Sequence, residues 1–393
     1  MLYVKDLDVQ GKKIFLRVDF NVPLDKEQNI RDDTRIKATL PTLNHLLEHG
    51  AKVVVASHLG RPKEEFNPEF STRPVAERLA KLIPQEVLHA PGVVGHEVES
   101  KKTQLKDSQV LLLENLRFYP GEKGNNPAFA QQLAHDIDYY VNDAFGVCHR
   151  SHASIVGIPQ HVQKSAAGFL VAKEVEYLSK AILSPKKPYV FILGGAKVSD
   201  KIPVIERLLH KTDNILIGGA IAYTFFSAQG FGVGRSLVEE DQKDLALSLL
   251  DKAKSKGMNF LLPQDHIAAA AIDPGAKKHI IQEFPIPKDL MALDIGPQTI
   301  EKYKDVIKTA KTIFWNGPMG VFEIDQFGKG TEEMAKAVAN TEAISIIGGG
   351  DSVAAVLKVG VSEKISHIST GGGASLEYIA KETLPGLEAL TEK

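Results

Sequence analysis

Ile344–Ser352 reads ISIIGGGDS, a short apolar run that stops in three glycines, an aspartate and a serine. The same form recurs at VFILGGAK (Val190–Lys197), ILIGGA (Ile215–Ala220), IFWNGPMG (Ile313–Gly320) and ISHISTGGGAS (Ile365–Ser375). The first half carries similar runs that end in basic or polar clusters instead. These are IFLRVDFN (Ile14–Asn21), VVVASHLGR (Val53–Arg61), VLLLENLR (Val110–Arg117) and YYVNDAFGVCHR (Tyr139–Arg150). Buried parallel strands read as continuous apolar runs, and ligands of open α/β sheets sit beyond the carboxyl ends of the strands. The expected fold is α/β, with two doubly wound parallel-sheet (Rossmann-like) domains joined by a helix and hinge. Two facing sites are expected, one for a small anionic compound and one for phosphates.

The 393 residues suit two domains, and a hydrophobic content of 43% is enough for sizeable cores. A formal net charge of -2 gives no support for a nucleic-acid or membrane-surface protein. One cysteine, Cys148, excludes an internal disulfide and points to a reducing compartment. MLYVKDLDVQGKK at the start has no apolar signal core, and no segment approaches the roughly 20 apolar residues that span a bilayer. A cytoplasmic location follows as an expectation.

Helical patterns separate the runs. One ends near His49, with Gly50 as its C-terminal cap. Another follows Lys197, with Ile202, Ile205, Leu208 and Leu209 on one stripe. Val171, Val175, Leu178 and Ile182 also recur at helical spacing, and Ser184-Pro185-Lys186-Lys187-Pro188 stops that helix. Its place near the middle of the chain favours a connector over an ordinary surface helix.

Gly194-Gly195 precedes Lys197 and Lys201. Glycine permits close backbone approach, a helix start offers free N–H groups to an anion, and lysine adds a point charge. Gly348-Gly349-Gly350-Asp351-Ser352 opens a second helix, where Asp351 could take magnesium through oxygen. Gly371-Gly372-Gly373 opens a third. A lone loop of this kind reads as a tight turn, whereas three beyond apolar runs in one domain read as a phosphate site. No GxxxxGK[ST], GxGxxG, HExxH or CxxC occurs, which disfavours a Walker ATPase, a dinucleotide enzyme and a transition-metal site.

Arg35, His58, Arg61, Arg117 and Arg150 lie at or beyond the first-half runs. Singly each is an ordinary surface side chain. Together they suit one anionic ligand, since arginine grips phosphate and carboxylate in a fork. Asp19 and Asn21 could bond a hydroxyl of that ligand. Arg17 reads as structural, and His149 and His152 as packing or orienting groups. A non-catalytic two-lobed binder of anions is the competing reading, but it needs no phosphate loops opposite its basic cleft.

The ordered stretches RVDFNVP (Arg17–Pro23), SHLGRP (Ser57–Pro62), ENLRF (Glu114–Phe118), NDAFG with HRSHAS (Asn142–Ser154), GGAKVSDKI (Gly194–Ile202), WNGPMGVFE (Trp315–Glu323) and STGGGASLE (Ser369–Glu377) run the length of the chain. Through them the chain resembles the phosphoglycerate kinase family. Two departures stand out. Val147-Cys148 occupies the place of a common Thr-Ala and brings a thiol near the triose site. LPQDHIAAA keeps Asp265 but lacks a second acidic residue often seen soon after.

The resemblance implies reversible phosphoryl transfer between 1,3-bisphosphoglycerate and ADP, giving 3-phosphoglycerate and ATP with Mg²⁺, by a monomer that closes around its hinge. It implies a triose domain over 1–168, a helix and hinge over 169–188, a nucleotide domain over 189–383, and a segment over 384–393 that returns to the first domain. Asp19, Phe20, Asn21, Arg35, His58, Leu59, Gly60, Arg61, Arg117, Gly146 and Arg150 would bind the triose. Lys197, Lys201, Gly218, Gly219, Asn316, Glu323, Gly349, Gly350, Asp351 and Ser352 would bind the nucleotide, with Glu323 at the ribose and Asp351 at the metal. Arg35, Lys197, Lys201, Gly350 and Gly372 would act on the transferred group.

Overall fold

The computed structural model describes residues 1–199 and 201–391, and the side chain of Ile182 lies outside the described set, as do Asp200, Glu392 and Lys393. The chain divides into two compact units, Met1–Glu176 with Thr383–Lys393, and Tyr177–Glu382.

In the first unit, β1 (Leu2–Tyr3), β2 (Lys13–Val18), β3 (Lys52–Ala56), β4 (Val87–His89), β5 (Val110–Leu112), β6 (Tyr139–Asp143) and β7 (Lys164–Ala167) form one sheet. Their order is β1-β7-β6-β2-β3-β5-β4, and every pair is parallel. Ile14 to Val18 and Val53 to Ala56 are buried throughout, as expected of strands covered on both faces. The helix Thr34–Glu48 makes the crossover from β2 to β3 and sets Leu43, Leu46 and Leu47 against Val53 and Val55. It ends at His49, and Gly50 supplies the left-handed turn at φ +75°. From β2 the chain winds outward through β3, then returns to lay β6 on the other side of β2. Such a reversal leaves a crevice beyond the strand ends.

In the second unit, β8 (Tyr189–Leu193), β9 (Asn214–Ile217), β10 (Asn259–Leu261), β14 (Thr312–Asn316), β15 (Ile344–Gly348) and β16 (His367–Ile368) form a parallel sheet in the order β10-β9-β8-β14-β15-β16. The reversal falls between β8 and β14. Trp315 and Tyr303 are buried in its core, and each polar tip finds a carbonyl: Trp315 Nε1 donates to Gly317 O at 2.7 Å and Tyr303 OH to Ile217 O at 2.7 Å. A small antiparallel sheet adds to the expected architecture. It consists of β11 (His266–Ala269), β12 (His279–Ile281) and β13 (Met291–Ile295), with a register shift between Ile267 and Ala268.

The helix Phe169–Leu183 follows β7. Val171 and Leu178 on its stripe are buried. Its first turn is tied by Asp143 Oδ1, which accepts from the N–H groups of Leu170 (2.9 Å) and Val171 (3.3 Å). In the returning segment Gly386 N–H donates to Cys148 O at 2.8 Å. A Cβ on Gly386 would lie 2.8 Å from Ile155 Cγ2, so only glycine packs there without a shift. Cys148 is fully buried, and burial pushes its thiol up to about 12.

Two buried carboxyls make the stability depend on pH. Burial raises Asp143 to about 7 and Asp294 to about 8. Asp294 accepts from Ile295 N–H at 2.9 Å and Gly330 N–H at 2.7 Å. The unfolded chain releases these protons in the ordinary carboxylate range while the fold retains them, so stability is lost as pH rises from that range up to the raised values and is level above them. We expect unfolding midpoints in urea to fall between about pH 4 and 8 and to level off above that, and Asp294→Asn to flatten part of that fall. An identical slope in the variant would refute the assignment.

Candidate active site

The loops beyond β2, β3 and β5 are knitted to one another. Phe20 N–H donates to Ser57 Oγ (2.9 Å), and Gly60 N–H to Asn21 Oδ1 (2.8 Å). Asn115 accepts from Leu59 N–H (3.2 Å) and donates to Leu59 O (2.7 Å) and Phe70 O (2.9 Å). Arg117 donates to Gly60 O at 2.8 Å. Gly60 turns at φ +61°, and a Cβ there would lie 2.3 Å from the Phe70 ring. The side chains of Phe20 and Leu59 are buried in the core. Asn21 spends its carbonyl on the Gly60 loop. Gly146 sits in the single turn Phe145–Val147 after β6, half-buried, and leads to Arg150.

The cations differ in exposure. Arg17 is buried, donating to Ser154 Oγ at 2.8 Å and to Val18 O. Ser154 in turn donates to the buried Glu122 through its N–H (3.0 Å) and its hydroxyl (2.6 Å). Arg35 and Arg117 are half-buried, and Arg61 and Arg150 exposed. Arg35 pairs with Asp19 Oδ2 at 2.7 Å. His58 Nδ1 lies 3.7 Å from Asp19 Oδ1, and neither atom has a hydrogen-bond partner among the described residues. Burial, then the charges of Arg17, Arg117 and Arg35, hold His58 well below its ordinary range. Burial, then the charges of Arg17, Arg117 and Arg150, bring His152 down to about 4. Both imidazoles are therefore neutral near pH 7, and neither makes an ion pair.

In the second unit a cavity of about 770 Å³ opens at the β8/β14 reversal. Gly194–Lys197, Asn316–Pro318, Gly349–Ser352 and Gly372–Gly373 line it, together with Lys201, Pro203 and Val204. The helices Gly350–Val359 and Gly373–Lys381 start at its wall. Neither Gly349 nor Gly372 has a side chain to cap the first turn, so first-turn amides have no side-chain acceptor at the cap. Such a helix start attracts phosphate by its N–H groups and its partial positive charge. Lys197 is exposed, and Lys201 Nζ donates to Asn316 Oδ1. Ser352 is buried and accepts from Gly317 N–H at 2.5 Å.

Gly218, Gly219 and Glu323 stand outside that lining. The two glycines brace it from behind. Gly219 N–H donates to Met319 O (2.8 Å), and Cβ atoms at Gly218 and Gly219 would come within 2.4 Å of Met319 Sδ and 2.5 Å of Gly195 N. Glu323 is exposed on the loop after Gly320.

Other residues escaped the sequence reading. Glu239 accepts from the N–H groups of Val198 and Ser199 (3.1 Å for the latter) and from Ser199 Oγ (2.6 Å), which holds the lysine-bearing loop. Leu376, Glu377, Ala380 and Lys381 form one face of the helix Gly373–Lys381 on the cavity. Their helical spacing is a signal that could have found them. Among the described residues no three His, Cys, Asp or Glu side chains gather as a metal site. Asp351, exposed at a helix start, fits Mg²⁺ of the kind held by one carboxylate plus substrate phosphates and water.

A sequence model of the family described as "PGK: Phosphoglycerate kinase" matches residues 4–382. The phosphoglycerate kinase of Koribacter versatilis is 54% identical over 400 residues, covering 100% of this chain and 99% of that protein. The wheat protein named "Phosphoglycerate kinase, cytosolic" is 52% identical over 390 residues, covering 98% and 97%. Phosphoglycerate kinase from Coxiella burnetii superposes with a TM-score of 0.89 at 39% identity, covering 99% of this chain and 98% of that one. The Pyrococcus horikoshii enzyme gives 0.83 at 37%, with the same coverage.

Glycines along the cavity should differ sharply in tolerance. A Cβ on Gly194 would lie 2.0 Å from Pro318 O, backbone that cannot step aside, while Gly350 has nothing within 4 Å. We expect Gly194→Ala to destabilise the protein by about 1–3 kcal/mol or more, and Gly350→Ala to be neutral or stabilising by up to about 1 kcal/mol. Urea unfolding of the two variants checks this, and equal stabilities would contradict it.

Proposed function

The chain belongs to the phosphoglycerate kinase family, and we propose which of its residues carry the family's reaction. That reaction is reversible, Mg²⁺-dependent phosphoryl transfer between 1,3-bisphosphoglycerate and ADP, giving 3-phosphoglycerate and ATP. The observation that carries the residue assignment is the cavity of uncapped helix starts beside Lys197 and Lys201.

The unit that holds 189–382 is the nucleotide domain, and Lys197, Lys201, Asn316, Gly349, Gly350, Asp351 and Ser352 receive the phosphates. Gly218 and Gly219 shape the floor, and Glu323 meets the ribose. The unit that holds 1–168 is the triose domain, where Arg35, Arg61, Arg117 and Arg150 grip the anion. Asp19 aims Arg35. Asn21, Gly60 and the buried side chains of Phe20 and Leu59 set the loop, with Gly146 leading to Arg150. Neutral His58 contributes a hydrogen bond and no charge. Residues 169–188 join the domains, and 384–391 of the returning segment belong with the first.

The acceptor carboxylate of 3-phosphoglycerate is already ionised at neutral pH and needs no general base. The neutral imidazoles suit such chemistry. Rate then comes from alignment and from offsetting charge on the migrating group. Arg35, Lys197 and Lys201 supply full charges, and the amides of Gly350 and Gly372 donate to its equatorial oxygens. Bound at Asp351, Mg²⁺ would offset charge on the nucleotide phosphates. Domain closure brings the bound substrates together and excludes water, which suppresses hydrolysis of ATP. We further infer a cytoplasmic monomer that binds no nucleic acid. Both candidate sites lie within one chain, the wheat relative is named cytosolic, and among the described residues no helix is long and apolar enough to cross a membrane.

For Arg35→Ala we expect kcat to fall roughly 10²-fold or more, by comparison with other arginines that stabilise phosphoryl transfer. A coupled assay of ATP-dependent 3-phosphoglycerate phosphorylation measures it, and near-normal turnover would remove Arg35 from this role. For Asp351→Ala the expected defect is a higher Mg²⁺ requirement at fixed ATP. An unchanged magnesium titration would argue against Asp351 as the metal carboxylate.

A further inference from the structure

Two helices that line the cavity are tied together at the end remote from the phosphate loops. The helix Ile202–Leu208 contributes Pro203 and Val204, and the helix Gly373–Lys381 contributes Leu376, Glu377, Ala380 and Lys381. The first is pinned at its start, where Lys201 Nζ donates to Asn316 Oδ1. Arg207 in its last turn and Lys211 just beyond it both reach one oxygen of the Glu382 carboxylate, Lys211 at 2.9 Å. Glu382 is the residue that ends the second helix. Neither cation touches the cavity.

Glu382 also holds an unfavourable backbone. Its φ is +63°, in the left-handed region where glycine or asparagine usually ends a helix, and its N–H donates to Tyr378 O at 2.7 Å. A chain that needed only a helix stop would be served better by glycine. The carboxylate is what glycine cannot supply, and its two cations come from the opposite cavity wall. Lys211 and Arg207 hold the Glu382 carboxyl below its ordinary range, so it is charged at neutral pH.

We propose that Glu382 is a positioning residue for the nucleotide site: the Arg207–Glu382–Lys211 cluster fixes the spacing of the two helices that flank the cavity, and through it the affinity for a nucleoside diphosphate. The inference rests on the reading that this cavity receives the nucleotide. An isolated exposed ion pair contributes little to stability. Here the expected effect is on the width of a binding site, where small displacements separate a lysine from a phosphate oxygen.

The test is calorimetry with ADP on the full-length protein, with steady-state kinetics alongside. Glu382→Gln removes the charge. Glu382→Gly removes the charge and relieves the backbone. Both should raise Kd for ADP and KM for nucleotide roughly three- to tenfold, within the lower part of the coupling range for contacting side chains. KM for 3-phosphoglycerate and kcat at saturating nucleotide should hold. The thermal midpoint of Glu382→Gly should not fall, which separates positioning from simple destabilisation. Glu382→Gln combined with Arg207→Ala should lose little more than the worse single variant. Unchanged ADP affinity in both Glu382 variants, or strictly additive losses in the pair, would overturn the proposal. Lys201→Ala tests the underlying reading separately. If it leaves ADP binding intact, the cavity is not the nucleotide site and the inference falls with it.

Discussion

The loops after β8, β9 and β14 meet backbone against backbone, and the second unit's chemistry depends on that contact. Gly195 N–H donates to Pro318 O at 2.9 Å, Gly219 N–H to Met319 O at 2.8 Å, and Gly194 N–H to Asn316 O at 2.9 Å. Hypothetical Cβ atoms on Gly194, Gly219 and Gly317 all fall within 2.5 Å of neighbouring backbone. A side chain at any of these positions would force the loops apart. Their closeness leaves the floor of the cavity made of main chain, into which neighbouring helix starts can present amides. The parallel sheet brings the strand ends to one edge, and the reversal between β8 and β14 opens the gap above them.

The first unit solves a different electrostatic problem. It gathers Arg35, Arg61, Arg117 and Arg150 beyond one set of strands, with Arg17 on β2 itself, and like charges this close repel. Two features reduce the cost. Arg17 is withdrawn into the core, where Ser154 links it to the buried Glu122. The nearby His58 and His152 are held neutral by desolvation and by the arginines themselves. The remaining positive charge sits on arginines, whose planar fork of N–H donors matches carboxylate and phosphate oxygens.

Much of this was legible in the sequence, for reasons that differ by element. Runs such as Val53–Ala56 and Tyr189–Leu193 are apolar on every residue, and only strands covered on both faces require that. The loops that follow were marked by glycine and by charge. What escaped depends on partners distant along the chain. Glu239 sits 40 residues from the Ser199 amide it accepts, and nothing near it marks a capping role. Gly218 and Gly219 look like phosphate-loop glycines, yet their smoothness faces Met319 and Gly195. The antiparallel sheet is carried by alanines and a shifted register, neither of which has a strong periodic pattern. Neutral histidines cannot be read from spacing at all, because desolvation is a property of the packed fold.

The division between main-chain amides and full charges has a physical logic for moving a phosphoryl group. A further lysine in the second cavity would bind phosphate more tightly in every state, reactant and product included. It would also carry rotamer entropy to be lost on binding. Amides at a helix start are fixed by the helix, do not titrate, and present a partial charge over a defined direction. They therefore distinguish positions of the phosphoryl oxygens better than they raise overall affinity, and only such differential stabilisation accelerates the transfer itself. An exposed Lys197, and a Lys201 that Asn316 Oδ1 holds, beside a set of rigid amides would give attraction from the lysines and geometric selection from the amides. At Gly350, Gly372 and Gly373 a Cβ would meet only open space, whereas at Gly349 it would lie 2.8 Å from Asn316 Nδ2, so only at Gly349 does close packing itself demand glycine.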